Sequence, residues 1–515
     1  MKIKHISILL FVLLMSIFSL KAQDENRMKK FITDEDNSYV KLMFVGDIPI
    51  NQRVVESAYR NETHTYDFQP IFHYIRPYLN LGDIVAGSLE TTIGTPPYGK
   101  FPQYRSPKDI ATSLKYTGFN LLFTANGKSI YQDKDTWTTQ QEILNNVKIK
   151  TTGSFIDSED RFKNNPLIIE KKGIKIAFLN YMDGIANASN VTPMINAFDT
   201  ALVKKDINLA KERGAEYIVV YMYWGEEFEL RANTRQQIIA KKLTDAGANL
   251  VVGTHPHTVQ DMDVETYQDA NGKREALTVY SMGDFLSTAN STKVNSSAIF
   301  EIIVSKNNAT KEIKVEDYGY IPTYCYSYNY NGKLTWSIVP VRQVELENIE
   351  IQMMSGTERE QMISAAENIR HKYSPYMQEI EYKLTDEIIN DVAESLTVTK
   401  KPMNERENVS LEKINLLHQS YGFGRVLDTD KKIDPSALVY RVQFMATRRE
   451  KDIDIRFYRH LKDYEVLNED GYYKYVIGYE NDVDAINRMC DEVRTLGHPN
   501  AFVVIYKNGK RISNN

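Results

Sequence analysis

Two histidines one residue apart, His255 and His257 in "GTHPHTVQ", offer ion-binding nitrogens in a chain with nine histidines in all. In extended backbone, residues i and i+2 point to the same side, so both imidazoles can reach one ion, and neutral imidazole is the commonest metal ligand. Polar residues also close three apolar runs elsewhere: Asp47 after "VKLMFVG", Glu90 after "DIVAGSL" and Asn126 after "GFNLLFTA". Their oxygens can join the same ion, and a mixed nitrogen and oxygen set suits zinc, manganese or iron rather than calcium. The alternative is a pair of merely polar residues at the start of a loop. The convergence of independent strand-end groups favours a metal or phosphate site.

The elements that must position these groups follow from hydrophobic patterning. From Val40 to about Arg342, buried strands alternate with helical stretches, which argues an α/β architecture. Further strands are "GAEYIVVYMYWGEE" and "GANLVVGTHPH", a hairpin over "LIIEKKGIKIAFLNYMD" turning at Lys172-Gly173, and "EALTVYSMGDF" followed by "SAIFEIIVS". Helix candidates "SPKDIATSLKYTG" and "TRQQIIAKKLTDAG" each close on a glycine suited to a helix C-terminus. Polar groups therefore collect at the carboxyl ends of strands, where open α/β sheets place their ligands.

Beyond this domain (40–342) the sequence changes. Residues 345–420 carry long charged stretches with helical spacing, interrupted at Pro375, and read as a helical connector with a solvated face. Residues 436–512 hold two approximate copies of one unit: "ALVYRVQFMAT" before the helix candidate "DIDIRFYRHLKD", and "GYYKYVIGYE" before "DVDAINRMCDEVRTLG" and a last strand, "AFVVIYKNG". A small ferredoxin-like β-α-β-β-α-β arrangement fits.

Composition narrows the classes. A chain of 515 residues, 42% hydrophobic and 25% charged, suits a globular protein of more than one domain. A net charge of -5 gives no basic field to concentrate nucleic acid, which is set aside as a partner. Lys2, Lys4 and His5 precede the apolar run from Ile6 to Leu20, and Ala22 offers a small residue at a cleavage point, so residues 1–22 read as a secretory signal peptide of an exported periplasmic or envelope protein. Cys325 and Cys490 are too few for a thiolate zinc site. No G-x-S-x-G elbow, Walker-type loop or G-x-G-x-x-G follows a strand, so a serine nucleophile or a nucleotide fold finds no support.

The ordered set "MFVGD", "SLE", "FTANGKSI", "YWGEEF", "GTHPHTVQ" and "VYSMGDF" resembles the poly-gamma-glutamate capsule-synthesis (CapA-type) family, whose domain is similar to calcineurin-like metallophosphatases. The resemblance implies a sandwich of two mixed β-sheets flanked by helices, a divalent-metal centre at the strand ends, and a role with an anionic envelope polymer such as poly-gamma-glutamate or a polysaccharide. The departures matter. Ser88 stands where the family has Asn, Gly127-Lys128 where it has Asn-His, Tyr223 where it has His before Trp-Gly, Thr254 where it has His before His-Pro-His, and Asp284 where it has Asn before Phe. A two-metal site needs ligands for both ions. With Lys128 and Tyr223 in place of histidines, the expectation is one ion on Asp47, His255 and His257, completed by Asn126 or Glu90. Lys128 then becomes a catalytic cation stabilising negative charge, with Asn126 and Glu227 (or Glu226) as further catalytic candidates. Tyr223 and Trp224 are candidate substrate contacts, against the plainer readings that Lys128 faces solvent and Tyr223 packs in the sheet.

The terminal block, through "YRVQFMAT", "GYYKYVIGYE" and "AFVVIYKNG", resembles SPOR domains, which implies binding of peptidoglycan glycan strands. Tyr440, Phe444, Tyr473, Tyr475 and Tyr479 are candidates to stack on sugars and Arg441, Gln443 and Lys474 to hydrogen-bond to hydroxyls, although strand alternation must send half of them into a core. Two functions remain open: a metal-dependent hydrolase or transferase acting on an envelope polymer and tethered to peptidoglycan, and a non-catalytic polymer-binding scaffold that has lost its metal. A pure interaction role is a third, weaker reading.

Overall fold

The computed structural model describes residues 36–382, apart from 62, 101–102, 185–193, 270–271, 331, 347–350 and 352, and residues 438–512, apart from 448–464, 470, 481–482, 496–500 and 508–509. These two stretches lie in separate compact units. The signal segment expected at residues 1–22, the connector beyond residue 382 and the helix candidate "DIDIRFYRHLKD" lie outside the described residues. Among the described residues, no helix is long and apolar enough to cross a membrane.

In chain order, the first unit opens with β1 (Asn37–Asp47), β2 (Ile84–Ser88), β3 (Leu121–Phe123) and β4 (Lys150–Thr152). The hairpin β5 (Leu167–Lys171) and β6 (Ile174–Met182) follows, with β7 (Tyr217–Tyr223), β8 (Leu250–Thr254), β9 (Met262–Asp269) and β10 (Gly272–Val279) after it. Three long strands return to the first sheet: β11 (Ser296–Asn307), β12 (Ile313–Tyr330) and β13 (Lys333–Pro340). The first sheet runs β13-β12-β11-β1-β2-β3-β4, parallel from β1 to β4 and antiparallel from β1 to β13. The second runs β5-β6-β7-β8-β10-β9, parallel from β6 to β10, with an antiparallel strand at each edge. Both sheets are mixed. The hairpin turns at Lys172-Gly173 with positive φ at both residues (48° and 77°), the backbone a two-residue type I′ turn demands.

Burial patterns show why the sheets stack. Strand β1 is buried along its length from Val40 to Asp47, so alternate residues feed different cores. Val40, Leu42 and Phe44 meet Ile176, Phe178, Val219, Tyr221 and Val252 of the second sheet in a layer between the two sheets. Met43 and Val45 face the other way, toward Val54, Phe72, Ile110, Leu114 and Leu144. These come in part from helices α1 (Gln52–Ala58), α2 (Asp109–Thr117) and α3 (Lys134–Asn146). Helices α4 (Thr200–Glu212) and α5 (Thr234–Ala246) cover the far face of the second sheet through Val203, Ile207, Ile239 and Leu243. Glycines 118 and 247 end α2 and α5 in left-handed backbone, as expected from sequence. The result is a helix-sheet-sheet-helix sandwich.

The connector expectation needs correction at its N-terminal end. Helix α6 (Gly356–Tyr373) is not a solvated spacer. Met362, Ala365 and Ala366 pack on Tyr324, Tyr326, Tyr328 and Val339, and Ile369 and Tyr373 reach the core between the sheets. Its charged surface converges: Arg370 pairs with Glu345, Glu367 and Glu379, each at 2.6 Å. The chain then adds a short parallel strand, Gln378–Glu379, to β12, and Tyr382 buries its hydroxyl between Lys41 and Glu301.

The second unit contains a sheet ordered β15-β16-β14-β17-β18, where β14 is Leu438–Thr447, β15 Glu465–Glu469, β16 Tyr472–Glu480, β17 Phe502–Lys507 and β18 Lys510–Ile512. Helix α7 (Val483–Thr495) packs on one face through Ile486, Met489, Cys490 and Val493. The antiparallel order is that of a ferredoxin-like sheet with one added edge strand.

The sugar-stacking expectation is corrected here. Tyr475 is fully buried and Phe444 nearly so, both in the core beneath α7. Arg441 is engaged within the sheet, donating to the Gly478 carbonyl at 3.1 Å and pairing with Glu465 at 2.8 Å. Gln443 and Lys474 are buried as well. Partly exposed positions such as Tyr440 and Tyr473 pack against the same core.

Candidate metal centre

The carboxyl ends of parallel strands from both sheets meet at one place. Asp47 ends β1; Glu90 lies two residues beyond β2; Tyr223 ends β7; His255 and His257 follow β8. A close backbone approach brings in one more residue: a Cβ on Gly46 would lie 1.7 Å from the Gly283 carbonyl oxygen, so only glycine lets Asp47 bridge to Asp284.

Asp47 is fully buried, and its Oδ2 accepts from the Thr254 hydroxyl and from the His255 backbone N–H at 3.0 Å. Its Oδ1 has no hydrogen-bond partner, and neither does His255 Nδ1. Two orphaned polar atoms in one buried site call for a ligand, because buried polar groups are otherwise nearly always paired. His255 and His257 both hold positive φ (95° and 59°), as does Phe228 (69°), whose ring lies 5.7 Å from that of His257. For non-glycine residues such backbone is strained, and it turns both imidazoles into the site.

His257 Nδ1 and Asp284 Oδ1 lie 2.7 Å apart. That contact fixes the ring and leaves Nε2 for an ion, the usual arrangement of a carboxylate behind a ligating histidine. Burial disfavours the imidazolium, but the hydrogen bond and charge of Asp284, with Glu90 and Asp47 behind it, push His257 up to about 10. Burial raises Asp284 to about 7 against the pull of His257. The shared proton therefore resides on the imidazole. Burial, and then the negative charge of Asp47, raise Glu90. Burial holds His255 below its ordinary range, so it stays neutral. Clustered buried carboxylates of this kind are an electrostatic setting that suits a cation.

Among the described residues, two sets of ligand atoms lie within 4.8 Å of one another: Asp47, Glu90 and His257, and Glu227, His255 and His257. The first is the better fit, because its members are largely buried and it includes Asp47, whose Oδ1 is orphaned. Glu227 is exposed, its Oε1 3.8 Å from His257 Nε2 at the rim.

Lys128 and Tyr223 complete the inner wall. Tyr223 donates to Glu90 Oε1 at 3.1 Å and its ring lies 4.3 Å from that of His255. Lys128 Nζ is 3.6 Å from the same Glu90 oxygen and lies over the Tyr104 ring. The ammonium thus points into the site. A cleft of about 450 Å³ opens above it, lined among others by Tyr104, Lys128, Tyr131, Tyr223, Glu227, Arg235 and His255.

Two sequence candidates are placed otherwise. Asn126 is spent on its own loop: Oδ1 accepts from the Lys128 N–H at 3.1 Å and the Ser129 hydroxyl at 3.3 Å, while Nδ2 donates to the Leu89 carbonyl at 2.8 Å. It positions Lys128 and leaves no obvious lone pair for an ion. Trp224 is buried on the far face of the second sheet, donating to the Tyr280 carbonyl at 2.9 Å, and does not line the cleft. Asp284 is the residue that spacing alone does not single out. The signal is present, since "SMGD" follows an apolar run, as "FVGD" closes one.

Residues 41–289 match the family described as "Bacterial capsule synthesis protein PGA_cap". The chain is 25% identical over 291 residues to "Capsule biosynthesis protein CapA" of Bacillus anthracis, covering 54% of this chain and 66%, just under two thirds, of that protein. It is 27% identical over 315 residues to "PGA biosynthesis protein CapA" of Bacillus subtilis (strain 168), covering 59% of this chain and 78% of that one. Solved structures with a similar chain path include the Thermus thermophilus sulfate thiohydrolase SoxB (TM-score 0.31, 9% identity, 65% of this chain and 60% of that one). Another is TT1561 of Thermus thermophilus (TM-score 0.28, 7% identity, 54% and 98%). Through residues 41–289, just under half of its length, the chain is similar to the bacterial capsule-synthesis family of the CapA type.

Proposed function

We propose that the N-terminal domain is a single-metal centre of an exported envelope protein that acts on an anionic capsule or envelope polymer. The observation that carries this reading is the unpartnered buried Asp47 Oδ1 beside the buried set Asp47, Glu90 and His257. Zinc, manganese or iron suits these donors, and such an ion would supply Lewis acidity and make water a stronger nucleophile for hydrolysis or transfer at a phosphate or peptide-like bond.

The chain's own groups supply the rest. Asp284 orients His257 through Nδ1. Asn126 fixes the Lys128 backbone and the Tyr104 ring lies beneath its ammonium at the cleft, where a fixed positive charge attracts an anionic substrate and offsets charge developing during reaction. Glu227, at the rim, is placed to accept a proton from an incoming group.

Purified protein should carry about one divalent ion per chain by elemental analysis. The double substitution His255→Ala, His257→Ala should abolish it with the circular dichroism spectrum intact. A metal-free wild-type chain that still binds polymer would replace this reading with that of a non-catalytic scaffold, which the Lys128–Glu90 contact favours because it already neutralises one carboxylate.

The C-terminal unit is proposed to tether the protein to peptidoglycan glycan strands. Its ferredoxin-like sheet supports this, while the corrected positions of Tyr475 and Arg441 move the binding surface away from those side chains. Cosedimentation of the whole chain with purified sacculi, lost when residues 438–512 are deleted, is the expected result. Equal sedimentation of both proteins would refute the tether.

A further inference from the structure

Glu90 is shared between two kinds of neighbour. Its Oε1 receives the Tyr223 hydroxyl at 3.1 Å and stands 3.6 Å from Lys128 Nζ, which leaves its other oxygen for the ion proposed above. On the Lys128 side the wall also presents Tyr223 and His255, whose Nδ1 has no partner. A buried carboxylate oxygen and an unpartnered imidazole nitrogen beside one cleft are the start of a second metal seat. The ammonium of Lys128 stands there instead.

We infer that Lys128 is the built-in second cation of this centre: it takes the place of a second metal ion beside Glu90 and limits the site to one. This rests on the reading that the centre binds metal.

Lys128 is held for that task. Its backbone N–H donates to Asn126 Oδ1 at 3.1 Å, its carbonyl accepts from Gln132 Nε2 at 3.3 Å, and its Nζ lies 4.7 Å from the Tyr104 ring centroid. The side chain is thus fixed at both ends. An ammonium is a compact point charge with donors only, so it satisfies Glu90 as an ion would while repelling any divalent cation that approaches. Unlike an ion it cannot be chelated or exchanged. One positive charge of the centre is therefore permanent and the other depends on metal supply.

Metal stoichiometry tests this without an activity assay. Protein loaded with Mn²⁺ or Zn²⁺ and desalted should carry one ion per chain as wild type. Lys128→His replaces the ammonium with an imidazole that can join Glu90 and His255, and should carry two. Lys128→Arg keeps the cation and should stay at one. Wild type with two ions, or Lys128→His remaining at one with its fold intact by circular dichroism, would overturn the inference and leave the metal-centre reading standing. Wild type with none would remove both.

Discussion

Asp47→Asn should cost the protein its metal, lowering affinity more than ~100-fold while leaving the fold in place. The substitution keeps an oxygen to accept from the Thr254 hydroxyl and the His255 N–H, so the local backbone retains its partners. What is lost is the negative charge and the unpartnered Oδ1, the atom that a ligand ion would satisfy. Removing an outer partner of a metal site typically costs ~10–100-fold, and a direct ligand should exceed that. Asp284→Asn supplies the comparison, because the Asp284 carboxylate meets His257 at its far nitrogen, Nδ1, and its loss should fall within that lower range. Isothermal titration with Mn²⁺ or Zn²⁺ on both variants and the wild type measures the difference. Equal, small losses in the two variants would remove Asp47 from the ligand set.

Tyr475→Ala should unfold the C-terminal unit rather than merely weaken a binding face. Tyr475 is fully buried under α7, against Phe444 at a ring separation of 6.4 Å. Truncating a large buried aromatic costs ~3–5 kcal/mol. A core of this size rarely supplies more than ~3–5 kcal/mol in total, so the loss consumes the unit's stability. Limited proteolysis should cleave the variant within residues 438–512 while the first unit stays resistant, since the two are separate compact units. A protease-resistant variant that had lost only glycan binding would return Tyr475 to the surface role that the sequence suggests for it.

The contrast between Tyr475 and Asp47 shows what is legible in the sequence. Strand ends are readable because apolar runs followed by a single polar residue have one physical meaning, a chain leaving a buried sheet. Asp47, Glu90, Tyr223, His255 and His257 do meet at such ends. Facing is less readable. Trp224 follows Tyr223 directly and groups with it by sequence, yet the second sheet sends Tyr223 toward Glu90 and Trp224 toward the helices. Asn126 occupies a strand end like the others, but an amide can be consumed by its own loop, and sequence does not reveal its partners. Helix α6 hides its packing face because that face is small, with Ala365 and Ala366, while its charges, gathered by Arg370, read as a solvated surface.

The centre draws residues from both sheets: Asp47 and Glu90 from the ends of the first, Tyr223, His255 and His257 from the ends of the second. An ion held there is a rivet through the sandwich, and any ligand that binds only the folded state adds its mass-action term to stability, ~2.7 kcal/mol at a hundredfold excess over its dissociation constant. Melting temperature then becomes a gauge of metal occupancy. Starvation for the ion would then shorten the protein's lifetime.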